Sequence, residues 1–107
     1  IGEYFRRLLN SGRKKDAAKI RNSPLFNERY YLEKKPDVIL IKMDPAMHYL
    51  LYGGYEGRKP SAGFDSAFYL LNNQDVLESG INPLIHYLRH GINEGRKPHP
   101  EKSNQKK

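Results

Sequence analysis

Residues 23–60 of this chain are written again as residues 61–98, at a constant offset of 38 and without a gap. Sixteen positions are identical between the two stretches. They include Phe26/Phe64, Tyr31/Tyr69, Asp37/Asp75, Pro45/Pro83, His48/His86, Tyr49/Tyr87, Gly53/Gly91 and the closing Glu56-Gly57-Arg58-Lys59-Pro60 against Glu94-Gly95-Arg96-Lys97-Pro98. A fixed period of this length marks a repeat architecture, in which each copy is one supersecondary unit that buries its apolar face on its neighbour. A residue that recurs in both copies is therefore expected to build the copy, whereas a catalytic constellation is usually asymmetric.

Each copy reads as three short helices separated by strong punctuation. Asn27 and Asp65 are good N-caps, because a side-chain oxygen there accepts an otherwise unpaired backbone N–H. With those caps, Phe26/Tyr31 and Phe64/Tyr69 fall at the spacing of a hydrophobic staple. Lys35-Pro36 breaks the first helix of copy 1, since the residue before proline is pushed out of the helical region. Asp37 and Asp75 are expected to cap a second helix over Val38–Lys42 and Val76–Ser79. Asp44-Pro45 and Asn82-Pro83 are an N-cap followed by proline at the first helical position, which starts a third helix. That helix should run from Pro45 to Tyr52 and from Pro83 to His90, and stop at Gly53 or Gly91 in the left-handed C′ conformation. No segment alternates with period two for long enough to be a strand. The expected fold is all-α: two tandem three-helix repeats (23–60 and 61–98) behind a basic N-terminal amphipathic helix (1–22), with a disordered basic tail (99–107).

The N-terminal segment carries a weaker echo of the repeat. Glu3 to Lys14 aligns with His86 to Lys97, but the spacing to copy 1 is about seven residues too long. It is either a degenerate half-repeat or an ordinary helix whose Tyr4, Phe5, Leu8 and Leu9 pack on copy 1. Asp16 to Asn22 should add a further helical turn or two.

Composition narrows the function classes. With 107 residues, 37% hydrophobic and 29% charged, the chain is one domain with a thin core, supplied largely by eight Tyr and four Phe. It holds no Cys, which excludes disulfides and thiolate metal sites and fits a cytoplasmic setting, at or near the inner face of the membrane. No run approaches the roughly 18 apolar residues of a membrane span. The chain opens at Ile1 without a signal-peptide pattern, as expected of a fragment or processed chain. A net charge of +7 admits nucleic acid, an anionic membrane surface or an acidic polymer as partner. The excess sits at the ends, in Arg6, Arg7, Arg13, Lys14, Lys15, Lys19 and Arg21 and in Lys102, Lys106 and Lys107, while the copies are nearly neutral.

Enzymatic chemistry finds no support in the residues. Ser23 and Ser61 read as turn residues, Gly53-Gly54 and Gly91 end helices instead of opening a phosphate loop, and no carboxylate stands in an apolar run. Nor is there a metal centre or a cofactor motif. Only His86/His90 has helical ligand spacing, and the reading preferred for His48 and His86 is packing against Met43 and Ile81, with a ring nitrogen on a backbone carbonyl. A DNA-reading helix is disfavoured because the third helices are apolar and aromatic, without a row of Arg, Asn or Gln to meet base edges. The candidate binding residues are Tyr49 and Tyr87, His48 and His86, Glu56 and Glu94, and Arg58 and Arg96. An aromatic face with an Arg–carboxylate pair suits a sugar. The structural alternative has each Arg capping helix carbonyls and pairing with a carboxylate of the neighbouring copy, such as Asp37 or Asp75.

The signature S-x-x-F-[ND]-x-x-[YF]-Y-L-x(4)-D-V-x(5)-[DN]-P-x-x-H-Y-L-x-x-G-x-x-E-G-R-K-P resembles a tandem repeat of bacterial proteins. That repeat stands beside glycosyltransferase domains of capsule and O-antigen assembly, and in some large calcium-binding secreted repeat proteins. The resemblance covers residues 23–98, departing from it at Pro36 and Gln74, where Asn-Pro before the shared Asp-Val is more usual. It implies a non-catalytic accessory module that binds a glycan or a protein partner, and it carries over no catalytic residue. The alternative is a basic adaptor that holds anionic membrane or nucleic acid through its termini.

Overall fold

The structure, a computed structural model, describes residues 12–101. The N-terminal echo with Tyr4, Phe5, Leu8 and Leu9, and most of the expected disordered tail, lie outside the described residues. Within them the chain is all-α, with a single isolated bridge between Ser61 and Phe64 in place of any strand.

Helix α1 (Arg13–Arg21) is followed in copy 1 by α2 (Glu28–Lys34), α3 (Asp37–Leu40), α4 (Pro45–His48) and the π-helical turn π1 (Tyr49–Gly53). Copy 2 carries α5 (Ser66–Asn72), α6 (Gln74–Ser79), α7 (Pro83–His86) and π2 (Tyr87–Gly91). The punctuation works as its chemistry dictates. Asn27 accepts from the Tyr30 N–H and Asp65 from the Phe68 N–H, and the staple rings meet at 5.7 Å (Phe26–Tyr31) and 5.3 Å (Phe64–Tyr69). Asp44 accepts from the Met47 N–H, and Asn82 from the Leu84 and Ile85 N–H groups, each followed by proline at the helix start.

Two expectations are corrected. Asp37 and Asp75 do not cap the second helices; Pro36 and Asn73 hold the cap positions, and both aspartates sit in the first turn. The third helix does not end in a left-handed glycine at Gly53 or Gly91. It loosens instead into the π turn, with the Gly54 N–H on the Tyr49 carbonyl at 2.9 Å and the Ile92 N–H on the Tyr87 carbonyl at 3.0 Å. The left-handed glycines come later, at Gly57 (φ 80°) and Gly95 (φ 74°), where the exit loop turns back.

That loop closes each copy on itself. The Pro60 carbonyl accepts from the Asn27 N–H at 2.9 Å, and the Pro98 carbonyl from the Asp65 N–H at 2.8 Å. Buried Tyr31, Val38, Tyr49, Leu50, Phe64, Tyr69, Val76, Leu84 and Ile85 form one continuous core across both copies. Helix α1 lies against α4 and π1 of copy 1 and α7 of copy 2, burying Ala17 and Ile20. Asp16 of α1 pairs with Arg89, and Arg21 with Asp44 at 2.7 Å, so α1 is tied to both copies.

The joint between copies is built from small residues and one amide. Asn82, fully buried, donates to the Tyr49 and Leu50 carbonyls at 3.1 and 3.2 Å. A Cβ on Gly54 would lie 2.4 Å from the Asn82 amide nitrogen. Tyr55 donates to the Gly80 carbonyl at 2.8 Å, and the Tyr49 hydroxyl meets Ser66 Oγ at 2.6 Å. Ile92, which is exposed, stands where copy 1 has Gly54.

Candidate functional site

The shared residues converge on one polar cluster per copy. In copy 1 the Tyr31 hydroxyl meets His48 Nδ1 at 2.8 Å, and in copy 2 Tyr69 meets His86 Nδ1 at the same distance. The imidazoles are therefore engaged by tyrosine hydroxyls and not by the backbone carbonyls expected from sequence. Burial raises the Tyr31 and Tyr69 pKa values, Tyr69 to about 12, and lowers those of both histidines, which Arg58 and Arg96 depress further. Both members of each pair are thus kept neutral. Each pair is joined by a single neutral hydrogen bond between the hydroxyl and Nδ1.

A Cβ on Gly53 would fall 1.9 Å from the Tyr31 hydroxyl oxygen, and one on Gly91 2.3 Å from that of Tyr69. The glycines the repeat retains are therefore seats for the tyrosine hydroxyls.

Arg58 and Arg96 roof these pairs. Arg58 reaches Glu56 at 2.6 Å and Asp37 at 3.6 Å; Arg96 reaches Glu94 at 2.8 Å and grips both Asp75 oxygens at 2.8 and 2.9 Å. These carboxylates belong to the same copy as their arginine, not to the neighbouring one, so the links close a copy internally. Neither guanidinium caps helix carbonyls among the hydrogen bonds observed; each pairs with side chains. The Arg96 hydrogen bonds hold the Asp75 carboxyl down at about 2. Arg96 Nη1 also donates to Asn73 Oδ1 at 2.9 Å. In copy 1 the corresponding residue is Lys35, and Arg58 Nη1 is buried without a hydrogen-bond partner.

The sugar-stacking reading fails for Tyr49, which is fully buried with its ring edge-on to Tyr31 and its hydroxyl on Ser66. Tyr87 is half-buried, packed on Phe64 at 5.5 Å and Tyr69 at 5.7 Å. His86 and His90 are neighbours, with ring centroids 5.3 Å apart. Among the described residues, however, no group of three metal-ligating side chains forms. The described helices include none long and apolar enough to cross a membrane.

These geometries carry a pH prediction. The folded state lowers the histidine pKa below its unfolded value, so unfolding takes up protons as pH falls. The contribution of the two Tyr–His pairs is fully present above about pH 6.5 and is lost as pH drops through the lowered folded values. Arg58 reinforces the shift at His48, while Glu56 and Asp37 oppose it. Urea midpoints should accordingly fall between pH 7.5 and pH 5; a flat profile across that window contradicts the neutral-pair assignment.

Sequence reasoning found Asn82 as a helix cap but missed its role across the joint, and it missed Ser66 and the contrast between Lys35 and Asn73. The signal was available, but it lies in the positions where the copies differ.

No family model, no curated protein and no solved structure matches this chain.

Proposed function

We propose that the chain is a non-catalytic binding module of a bacterial surface-polysaccharide protein, engaging a glycan or a partner protein through surface residues that are not shared between its copies. One observation carries the reading. The polar side chains written twice are engaged mainly with one another: Tyr31 with His48, Tyr69 with His86, Arg58 with Glu56 and Asp37, and Arg96 with Glu94 and Asp75, with Arg58 Nη1 left over. Groups consumed in this way build the module, and a partner is left to meet the faces on which the copies diverge. The resemblance of residues 23–98 to repeats beside glycosyltransferases supports the polysaccharide setting.

The test is an array of bacterial polysaccharides probed with the full chain, alongside capture of protein partners. Arg96→Ala should weaken binding only in proportion to the unfolding it causes, since Arg96 is an internal strut held by Glu94, Asp75 and Asn73. Retention of a glycan or a defined protein partner at moderate salt supports the module. Turnover of a sugar nucleotide, or binding only to anionic vesicles or nucleic acid that vanishes at moderate salt, overturns it.

A further inference from the structure

The two copies differ most in charge at one place, the cleft between the end of the first helix and the exit loop. In copy 1 it is lined by Tyr30, Lys34, Lys35, Arg58 and Lys59 and encloses about 240 Å³. The same positions in copy 2 are Phe68, Asn72, Asn73, Arg96 and Lys97, so two lysines are exchanged for two asparagines. The backbone is unchanged: Lys35 has φ −137° and ψ 74°, Asn73 φ −138° and ψ 77°.

What changes is satisfaction. Asn73 spans the cleft floor, its amide donating to the Tyr69 carbonyl at 2.8 Å and its oxygen accepting from Arg96 Nη1 at 2.9 Å. Lys35 offers no acceptor, and Arg58 Nη1 is buried without a hydrogen bond of good geometry, although the Tyr31 hydroxyl lies close to the guanidinium. A buried guanidinium nitrogen without an acceptor is costly, and a native structure that retains one calls for an explanation. The missing acceptor is an oxygen at the position of the Asn73 amide, at the base of a cleft walled by lysine side chains.

The nearby carboxylates do not neutralise this cleft. Glu56 and Asp37 face Arg58 and are taken by it, Asp65 stands 4.0 Å from Lys59, and Glu33 pairs with Arg29. Lys34 lies over the Tyr30 ring at 5.4 Å, and neither Lys34 nor Lys35 makes an ion pair among the described residues. Two unneutralised ammonium groups, a guanidinium donor lacking its acceptor and an aromatic edge converge on a volume below that of a drug-sized pocket. That is room for one sugar residue carrying an oxyanion.

We propose that this cleft of copy 1 is a binding site for an acidic saccharide, whose carboxylate or phosphoryl oxygen supplies the acceptor that Asn73 builds into copy 2. The proposal rests on the module reading above and gives it a substrate class. Arg58 and Lys35 would take the oxyanion, Lys34 a second oxygen, and Tyr30 the apolar face of the ring.

The experiment is an NMR titration of the full chain, following backbone amides and the arginine Nε–H signals. The probes are inorganic phosphate, a glucuronate-containing tetrasaccharide and its carboxyl-reduced neutral counterpart. The acidic tetrasaccharide should shift Tyr30, Lys35 and Arg58 saturably and leave Arg96 unmoved. The neutral counterpart should bind at least tenfold more weakly, and phosphate should move the same signals with lower affinity than the tetrasaccharide. Lys34→Asn/Lys35→Asn, which writes copy 2 into copy 1, should cut affinity at least tenfold. Lys35→Asn alone should raise the melting temperature by a few degrees, because it restores the acceptor to Arg58. Equal shifts at Arg58 and Arg96, an unaltered affinity in the double variant, or tighter binding of phosphate or of a single-stranded oligonucleotide than of the tetrasaccharide overturns the site. Array binding of neutral glycans that survives in the double variant overturns the site but not the module. Saturable tetrasaccharide binding by a chain that proves to turn over sugar nucleotides overturns the module but not the site.

Discussion

Gly53→Ala lowers stability by about 3 kcal/mol, the upper range of core overpacking, which for a domain of this size is a fall of roughly 15 °C in melting temperature. The direction is diagnostic, because glycine to alanine in an ordinary helix interior gains about 1 kcal/mol. Here the new Cβ would stand 1.9 Å from the Tyr31 hydroxyl oxygen and 3.0 Å from the ring carbon that bears it. The ring cannot retreat, since it is fully buried between Phe26 and Tyr49. Tyr31→Phe removes the clashing oxygen but leaves His48 Nδ1 without its partner, a cost of about 1–2 kcal/mol. The double variant should therefore be more stable than the sum of the singles predicts, by about 1–2 kcal/mol. Thermal and urea unfolding of the four proteins measure the cycle. Simple additivity, or a stabilised Gly53→Ala, removes the hydroxyl seat as the reason for this glycine.

Asn82→Ala should cost about 3 kcal/mol, while Asp44→Ala, at the matching position of copy 1, costs about 1 kcal/mol, an ordinary N-cap loss. Both side chains cap a third helix, but only Asn82 is fully buried and also donates to the Tyr49 and Leu50 carbonyls of the other copy. Removing it leaves buried carbonyls with one donor fewer and opens a void at the joint. Asn82→Asp is the sharper probe. It keeps the acceptor for the Leu84 and Ile85 N–H groups, yet turns a carboxylate toward two carbonyl oxygens. It should be no better tolerated than alanine, although aspartate serves well at position 44. Equal costs for Asn82→Ala and Asp44→Ala would show that the cap, and not the joint, is what position 82 supplies.

Much of the fold was legible because helix ends are local chemistry. Asn27, Asp65, Asp44-Pro45 and Asn82-Pro83 announce helix starts by satisfying N–H groups two or three residues away, and the structure places them there. The π turns were not legible, since widening a helix by one residue leaves the apolar pattern of Tyr49-Leu50-Leu51 nearly unchanged. Gly53 misled for a related reason: a glycine that ends a helix and one that admits a distant hydroxyl look alike along the chain. The binding residues were sought among the identities, His48, Tyr49, Arg58 and their partners in copy 2. The structure shows them engaged inside the protein, His48 with Tyr31, Tyr49 with Ser66, and Arg58 with Glu56 and Asp37. The charged cleft depends on Lys34-Lys35 facing Asn72-Asn73, a difference visible in the sequence once identity is assigned to architecture.

The joint also makes the outer end of copy 2 unlike the outer end of copy 1. Copy 2 docks because Gly54 leaves space for the Asn82 amide to reach the carbonyls of π1. At the far end of copy 2 the same position holds Ile92, exposed over 52% of its surface, and Tyr55 and Leu51 are replaced by Asn93 and by Arg89, which is drawn away to Asp16. A further unit arriving in the same orientation would drive its amide into a branched side chain and find no tyrosine reaching for it. The joint is thus specific to the pairing of Gly54 with Asn82, and Ile92 does not offer the same seat a second time.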